Sequence, residues 1–101
     1  MIVRMWHGRV DASNANEYAE FMKQRAAPDY SSVDGLQKLQ FLSRIESDVA
    51  HFLLVTYWDS MESVKNFAGD PPEKAKYYPE DDQFLIEKEE TSALYEVFFE
   101  Q

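Results

Sequence analysis

Residues 51–70 read HFLLVTYWDSMESVKNFAGD. An apolar run, His51 to Trp58, passes without a linker into a capped helix that stops at Gly69. His51, Leu53, Val55 and Tyr57 alternate with Phe52, Leu54, Thr56 and Trp58, so a strand built from the run carries large apolar groups on both faces. Asp59 with Glu62 three residues later fits a capping box. The helix from Ser60 to Ala68 then buries Met61, Val64 and Phe67 or Ala68.

Upstream of this unit, Ile2 to Val10 reads as a first strand, with Ile2, Trp6 and Val10 on one face and Val3, Met5 and His7 on the other. A turn over Asp11–Asn14 leads into a helix. Asn14 with Glu17 makes a second capping box, with Ser13 as an alternative cap. Ala15, Tyr18, Ala19, Met22 and Ala26 recur at helical spacing, Phe21 widens the stripe, and Pro28 ends it. Asp34-Gly35 marks a turn, after which Leu36 to Glu46 alternates as a second strand. Ser47-Asp48 is a hairpin-like break before the third. Downstream, Pro71-Pro72 restarts a short helical piece, Glu73 to Tyr78. An acidic loop follows, Pro79 to Asp82, and Ala93 to Phe99 is the last strand.

The order is β-α-β-β-α-β with an extra short helix before the final strand, an α+β, ferredoxin-like arrangement in one domain spanning 1–101. Right-handed crossovers place both main helices on one face of an antiparallel sheet. The other face is also rich in apolar groups and needs its own cover. A second copy of the same face supplies one, so a homodimer is expected.

Composition narrows the function classes. The 101 residues contain no cysteine, which removes disulfides, thiolate metal sites and cysteine nucleophiles. A net charge of −9, with basic residues scattered singly, argues against nucleic-acid and anionic-membrane partners. No apolar stretch approaches the roughly 20 residues of a membrane span, and the N-terminus has no apolar h-region, so a soluble cytoplasmic protein is expected. No Ser/His/Asp triad, phosphate-binding glycine loop or His-x-x-x-His spacing is present.

Thr56-Tyr57-Trp58-Asp59-Ser60, followed by the helix through Phe67, resembles the strand, W-x-S, helix segment of the antibiotic-biosynthesis-monooxygenase-like (ABM) domains of the dimeric α/β-barrel superfamily. The resemblance extends over nearly the whole chain. It implies a homodimer with an eight-stranded barrel-like centre and a small hydrophobic cavity in each subunit. It also implies, as the leading activity, cofactor-independent oxygenation of a phenolic or quinol-type molecule, with no metal or organic cofactor. A non-catalytic ligand-binding or stress-type module on the same scaffold is the alternative. A third is haem binding or degradation. Haem degraders of the superfamily use an Asn, a Trp and a ligating His at positions that fall on His7, Phe67 and Tyr77 here, and all three differ.

Under the oxygenase reading, His7 and Tyr77 orient or deprotonate the substrate, while Trp6, Trp58, Phe67 and Tyr78 line the cavity. An imidazole that ordinarily titrates near 6.5 suits a general base. Each residue also has a plainer role. His7 fits a histidine at the edge of the core, the tryptophans fit an aromatic core cluster, and of the adjacent Tyr77 and Tyr78 one fits packing and the other a solvent-tipped hydroxyl. His51 fits a surface or interface residue. Glu80, Asp81 and Asp82 read as a solvated loop.

Overall fold

The computed structural model describes residues 1–101. Strands β1 (Ile2–Asp11), β2 (Leu36–Glu46), β3 (Val49–Trp58) and β4 (Ala93–Glu96) form one antiparallel sheet in the order β2-β3-β1-β4. Between β1 and β2 runs a continuous helical stretch: a 3-10 turn (Ala12–Asn14), α1 (Ala15–Phe21), a π segment (Met22–Ala26) and α2 (Ala27–Ser31). Helix α3 (Met61–Ala68) follows β3, and a 3-10 helix (Pro79–Gln83) precedes β4. This is the expected ferredoxin-like α+β order.

The strand pairing fixes which side chains share a face. Trp6 lies opposite Leu54, Val10 opposite Ala50, and Ile2 opposite Trp58. These even-numbered positions join Tyr18, Met22, Ala26, Tyr30, Val64 and Phe67 from the helices in one core. Odd-numbered Val3, Met5 and His7, with Leu53, Val55 and Tyr57, occupy the opposite face. Leu42 and Tyr95 lie on that face and are exposed.

The first helix runs past Pro28. Tyr18, Met22, Ala26 and Tyr30 are all buried at a spacing of four. Four residues of a regular α-helix turn about 400°, so such a stripe drifts by about 40° at each step. The wider π turn takes up the drift and keeps all four against the sheet. It also leaves Pro28 in the first turn of α2, where a missing N–H costs nothing, because the Ala27 N–H already bonds the Met22 carbonyl five residues back.

Other local expectations shift as well. Ser60, not Asp59, caps α3 by accepting from the Ser63 N–H at 3.2 Å, while Asp59 accepts from the Ser63 hydroxyl. Asn14 makes no side-chain cap, and Asp11 accepts from Ser13 N–H instead. Gly69 closes α3 at φ 89°, donating to the Lys65 carbonyl. Gly35, at φ 99°, brings its carbonyl to the Asp59 N–H at 2.9 Å. A Cβ there would meet the Ser63 and Asp59 side chains, so this turn tolerates only glycine.

Residues 73–78 are not helical. The Ala75 N–H bonds the Glu90 carbonyl, the Ser92 N–H bonds the Glu73 carbonyl, and Lys74 bridges to Thr91. A six-residue piece cannot repay helix nucleation when its backbone groups have partners across a second segment. The short helix lies instead at Pro79–Gln83, and the last strand ends at Glu96.

Candidate functional site

The space between helices and sheet is lined by aromatic rings. Phe67 stacks on Tyr30 with centroids 4.2 Å apart and tilts against Trp58 at 5.7 Å, and such pairs add about 0.5–1.5 kcal/mol beyond burial. Trp58 is fully buried, and its indole N–H donates to the Thr56 hydroxyl at 2.8 Å. Trp6 is 3% exposed, and its indole N–H has no partner. Trp6, Leu54, Tyr30, Phe67, Tyr78 and Asp81 are among the walls of a residual cavity of about 10 Å³. Tyr78 closes it, donating its hydroxyl to Asp29 at 2.6 Å, with Lys76 on the same carboxylate at 2.9 Å.

Arg4, packed behind Phe67, is a residue that reading along the chain does not single out. It shares the helix-facing side of β1 with Ile2, Trp6 and Val10 and is 1% exposed. One guanidinium nitrogen donates to the Lys74 carbonyl at 2.9 Å, while Nε and Nη1 have no partner. Its carbon sits 5.5 Å from the Phe67 ring centre. Burial raises the pKa of the Tyr30 phenol, and Arg4 offsets part of that rise through its charge and its hydrogen-bonding reach to the phenol oxygen. No carboxylate pairs with Arg4, although a buried cation ordinarily has one. Its position in the even-numbered register of β1 was the available signal.

Asp81 corrects the reading of the acidic loop. It is 2% exposed and accepts from the Tyr18 hydroxyl and the Tyr78 N–H, both at 2.8 Å. Burial holds its carboxyl above the usual range despite these bonds, and burial together with Asp81 raises the Tyr18 phenol.

The two residues named for catalysis both contact Glu89, but from different sides of β1. Tyr77 packs edge-on to Trp6 at 5.9 Å and donates its hydroxyl to the Glu89 carbonyl at 2.5 Å. Burial, then the Glu89 charge, pushes its pKa up to about 12. His7 lies on the other face of the sheet, bonded to the Glu89 carboxylate and to His51. It therefore does not share the helix-facing layer with Trp6, Trp58, Phe67 and Tyr78. No group of three or more His, Cys, Asp or Glu is arranged to hold a metal ion. No helix is long and apolar enough to cross a membrane.

No family model and no curated protein matches the chain. Solved structures do. A protein from Bacillus cereus, provisionally named an antibiotic biosynthesis monooxygenase, superposes with a TM-score of 0.67 at 17% identity, covering 99% of this chain and 93% of that one. An Arg-to-Ser variant of MhuD, with two manganese protoporphyrin IX molecules bound per active site, superposes with a TM-score of 0.65 at 16% identity, covering 100% of this chain and 98% of the other. Over essentially its whole length, the chain has the ABM-like, ferredoxin-type fold.

Proposed function

We propose that this chain is a homodimeric ABM-type protein that takes a phenol- or quinol-type molecule between its helices and its sheet and oxygenates it without a cofactor. The observation that carries this reading is Arg4. Two guanidinium nitrogens, Nε and Nη1, are left without a partner where Arg4 packs against the Phe67 ring, and the buried Trp6 N–H is also free. A planar aromatic ligand bearing an ionised oxygen supplies what both lack: apolar area against Trp6, Phe67 and Tyr30, and an acceptor for the guanidinium.

The chemistry asks little more of the protein. A phenolate is the form that passes an electron to oxygen, and Arg4 favours that form by pairing with its charge in a dry setting. For a substrate that supplies its own electrons, one oxygen atom of O2 enters the ring system and the other leaves as water. Tyr77 keeps its proton at neutral pH and serves as a hydrogen-bonding group. A cavity of about 10 Å³ holds no aromatic ligand, so binding requires Tyr30, Phe67 or the Ala75–Tyr78 segment to move. That segment has no helix or strand of its own and is the natural door.

The second copy is expected on the opposite face of the sheet, where exposed Leu42 and Tyr95 flank Met5, Leu53 and Val55. The test is oxygen uptake with a panel of naphthols and naphthoquinols, with wild type and Arg4→Met in parallel. The reading predicts uptake with at least one of them that falls tenfold or more in the variant. Ligand binding without uptake by any of them would favour the non-catalytic alternative.

A further inference from the structure

A second constellation lies on the helix-free face of the sheet. His7 and His51 are diagonal neighbours on the adjacent strands β1 and β3, since His7 pairs with Leu53 and His51 with Arg9. Their rings are stacked with an interplanar angle of 22°, and His7 Nε2 lies 3.1 Å from His51 Nδ1. The outer nitrogen of each ring faces a carboxylate. Glu89 is 2.5 Å from His7 Nδ1, and Glu46 is 3.4 Å from His51 Nε2.

Ionised carboxylates only accept, so Glu89, in hydrogen-bond contact, draws the N–H to the outer nitrogen of His7, and the more distant Glu46 favours the same in His51. When both outer nitrogens carry the N–H, the two inner nitrogens turn lone pairs toward each other, and a cation between them, a proton or a metal ion, satisfies both. We propose that His7 and His51 form a two-imidazole chelate for a borderline divalent metal ion of the copper or zinc type, with Glu89 and Glu46 fixing the tautomers from behind. Nitrogens 3.1 Å apart, each about 2.05 Å from an ion, subtend about 98° at it, between the square-planar and tetrahedral angles. A carboxylate on the far nitrogen is the usual support of a metal-ligating histidine.

The ligands stand on paired strands, which hold their spacing better than loops do. A pocket of about 270 Å³, bounded by His7, His51, Leu42, Ser43, Arg44 and Leu53, adjoins the pair on the face expected to meet the second copy, and leaves room for trapped water in the remaining positions. The net charge of −9 draws cations to the chain. This proposal does not depend on the oxygenase reading.

The test is equilibrium dialysis of the full chain against Cu2+ and Zn2+ at neutral pH, with electron paramagnetic resonance of the Cu2+ form. The chain has only two histidines, so any imidazole signature comes from this pair. The expected result is one ion per chain, with superhyperfine splitting from two nitrogens. Affinity should fall at least tenfold in His7→Gln and in His51→Gln, and about tenfold in Glu89→Gln. Circular dichroism of each variant identifies any that fails to fold, and either histidine variant alone suffices. No retained ion would overturn the proposal and leave a shared proton as the bridge. Retention with unchanged affinity in a folded His51→Gln would overturn it equally.

Discussion

Arg4→Met removes a buried cation while keeping most of its volume filled. In the wild type, the two unpartnered guanidinium nitrogens cost about 1–3 kcal/mol each. Against that cost stand the bond to the Lys74 carbonyl, about 1.5–3 kcal/mol, and the contact with the Phe67 ring, about 0.5–2 kcal/mol. These contributions nearly cancel, and exchanging buried ionic groups for apolar ones of similar size is neutral to stabilising by about 1–4 kcal/mol. The variant should therefore be unchanged to about 2 kcal/mol more stable, and in a domain of this size each kcal/mol raises Tm by about 4–8 °C. Urea and thermal unfolding followed by the fluorescence of Trp6 and Trp58 measure this. A loss of about 3–5 kcal/mol, the usual consequence of breaking a buried ion pair, would refute the reasoning, because Arg4 would then have a structural partner. A gain accompanied by lost binding is the signature of a site kept at the expense of stability.

Other consequences are as direct. Tyr18, Tyr30, Tyr77 and Tyr78 are all held above the usual phenol range, chiefly by burial. Of the six tyrosines, at most two should therefore ionise near pH 11 while the chain is folded, as read by ultraviolet difference absorbance. Raised phenol pKa values also mean that the stability these groups contribute is complete below the ordinary phenol range and is lost as pH climbs through their folded values, so alkaline unfolding should release the remaining phenolates together. Burial pulls the Asp29 carboxyl up, but the Tyr78 hydroxyl and Lys76 bring it below its ordinary value. Its contribution is thus present above the ordinary carboxylate range and lost as pH falls below it, and Asp29→Asn should flatten the acid limb of the stability curve; an unchanged limb would argue against the Tyr78–Asp29–Lys76 link. Leu53→Arg places a charge in the middle of the helix-free sheet face and should convert a sedimenting dimer to a folded monomer, whereas a dimer that survives the change would place the interface elsewhere.

The fold was legible because periodicity carries it. His51–Trp58 alternates as a strand must, Leu36–Glu46 does so beyond a bulge between Leu36 and Lys38, and Gly35 and Gly69 stand where the backbone turns left-handed. The places where reading along the chain failed are those that depend on distant partners. Pro28 is a helix breaker in an α-helix and harmless after a π turn. Residues 73–78 carry helical signals that lose to hydrogen bonds with residues 90–92. Asp81 has the composition of a solvated loop but sits under Tyr18, 63 positions away. The site was harder still. The aromatic walls were visible as aromatic residues of matching parity. Arg4 was hidden as one of several scattered basic residues, and only the core that closes over it gives it meaning.

The direct test of Arg4 as the ligand's anchor is a calorimetric titration of wild type and Arg4→Met with 2-hydroxy-1,4-naphthoquinone, an anion at neutral pH, and with its neutral methyl ether. The proposed site predicts that wild type binds the anion at least tenfold more tightly than the ether, and that the variant loses this preference while remaining folded. Equal affinity for the two compounds in wild type, or a preference that survives in the variant, would contradict it.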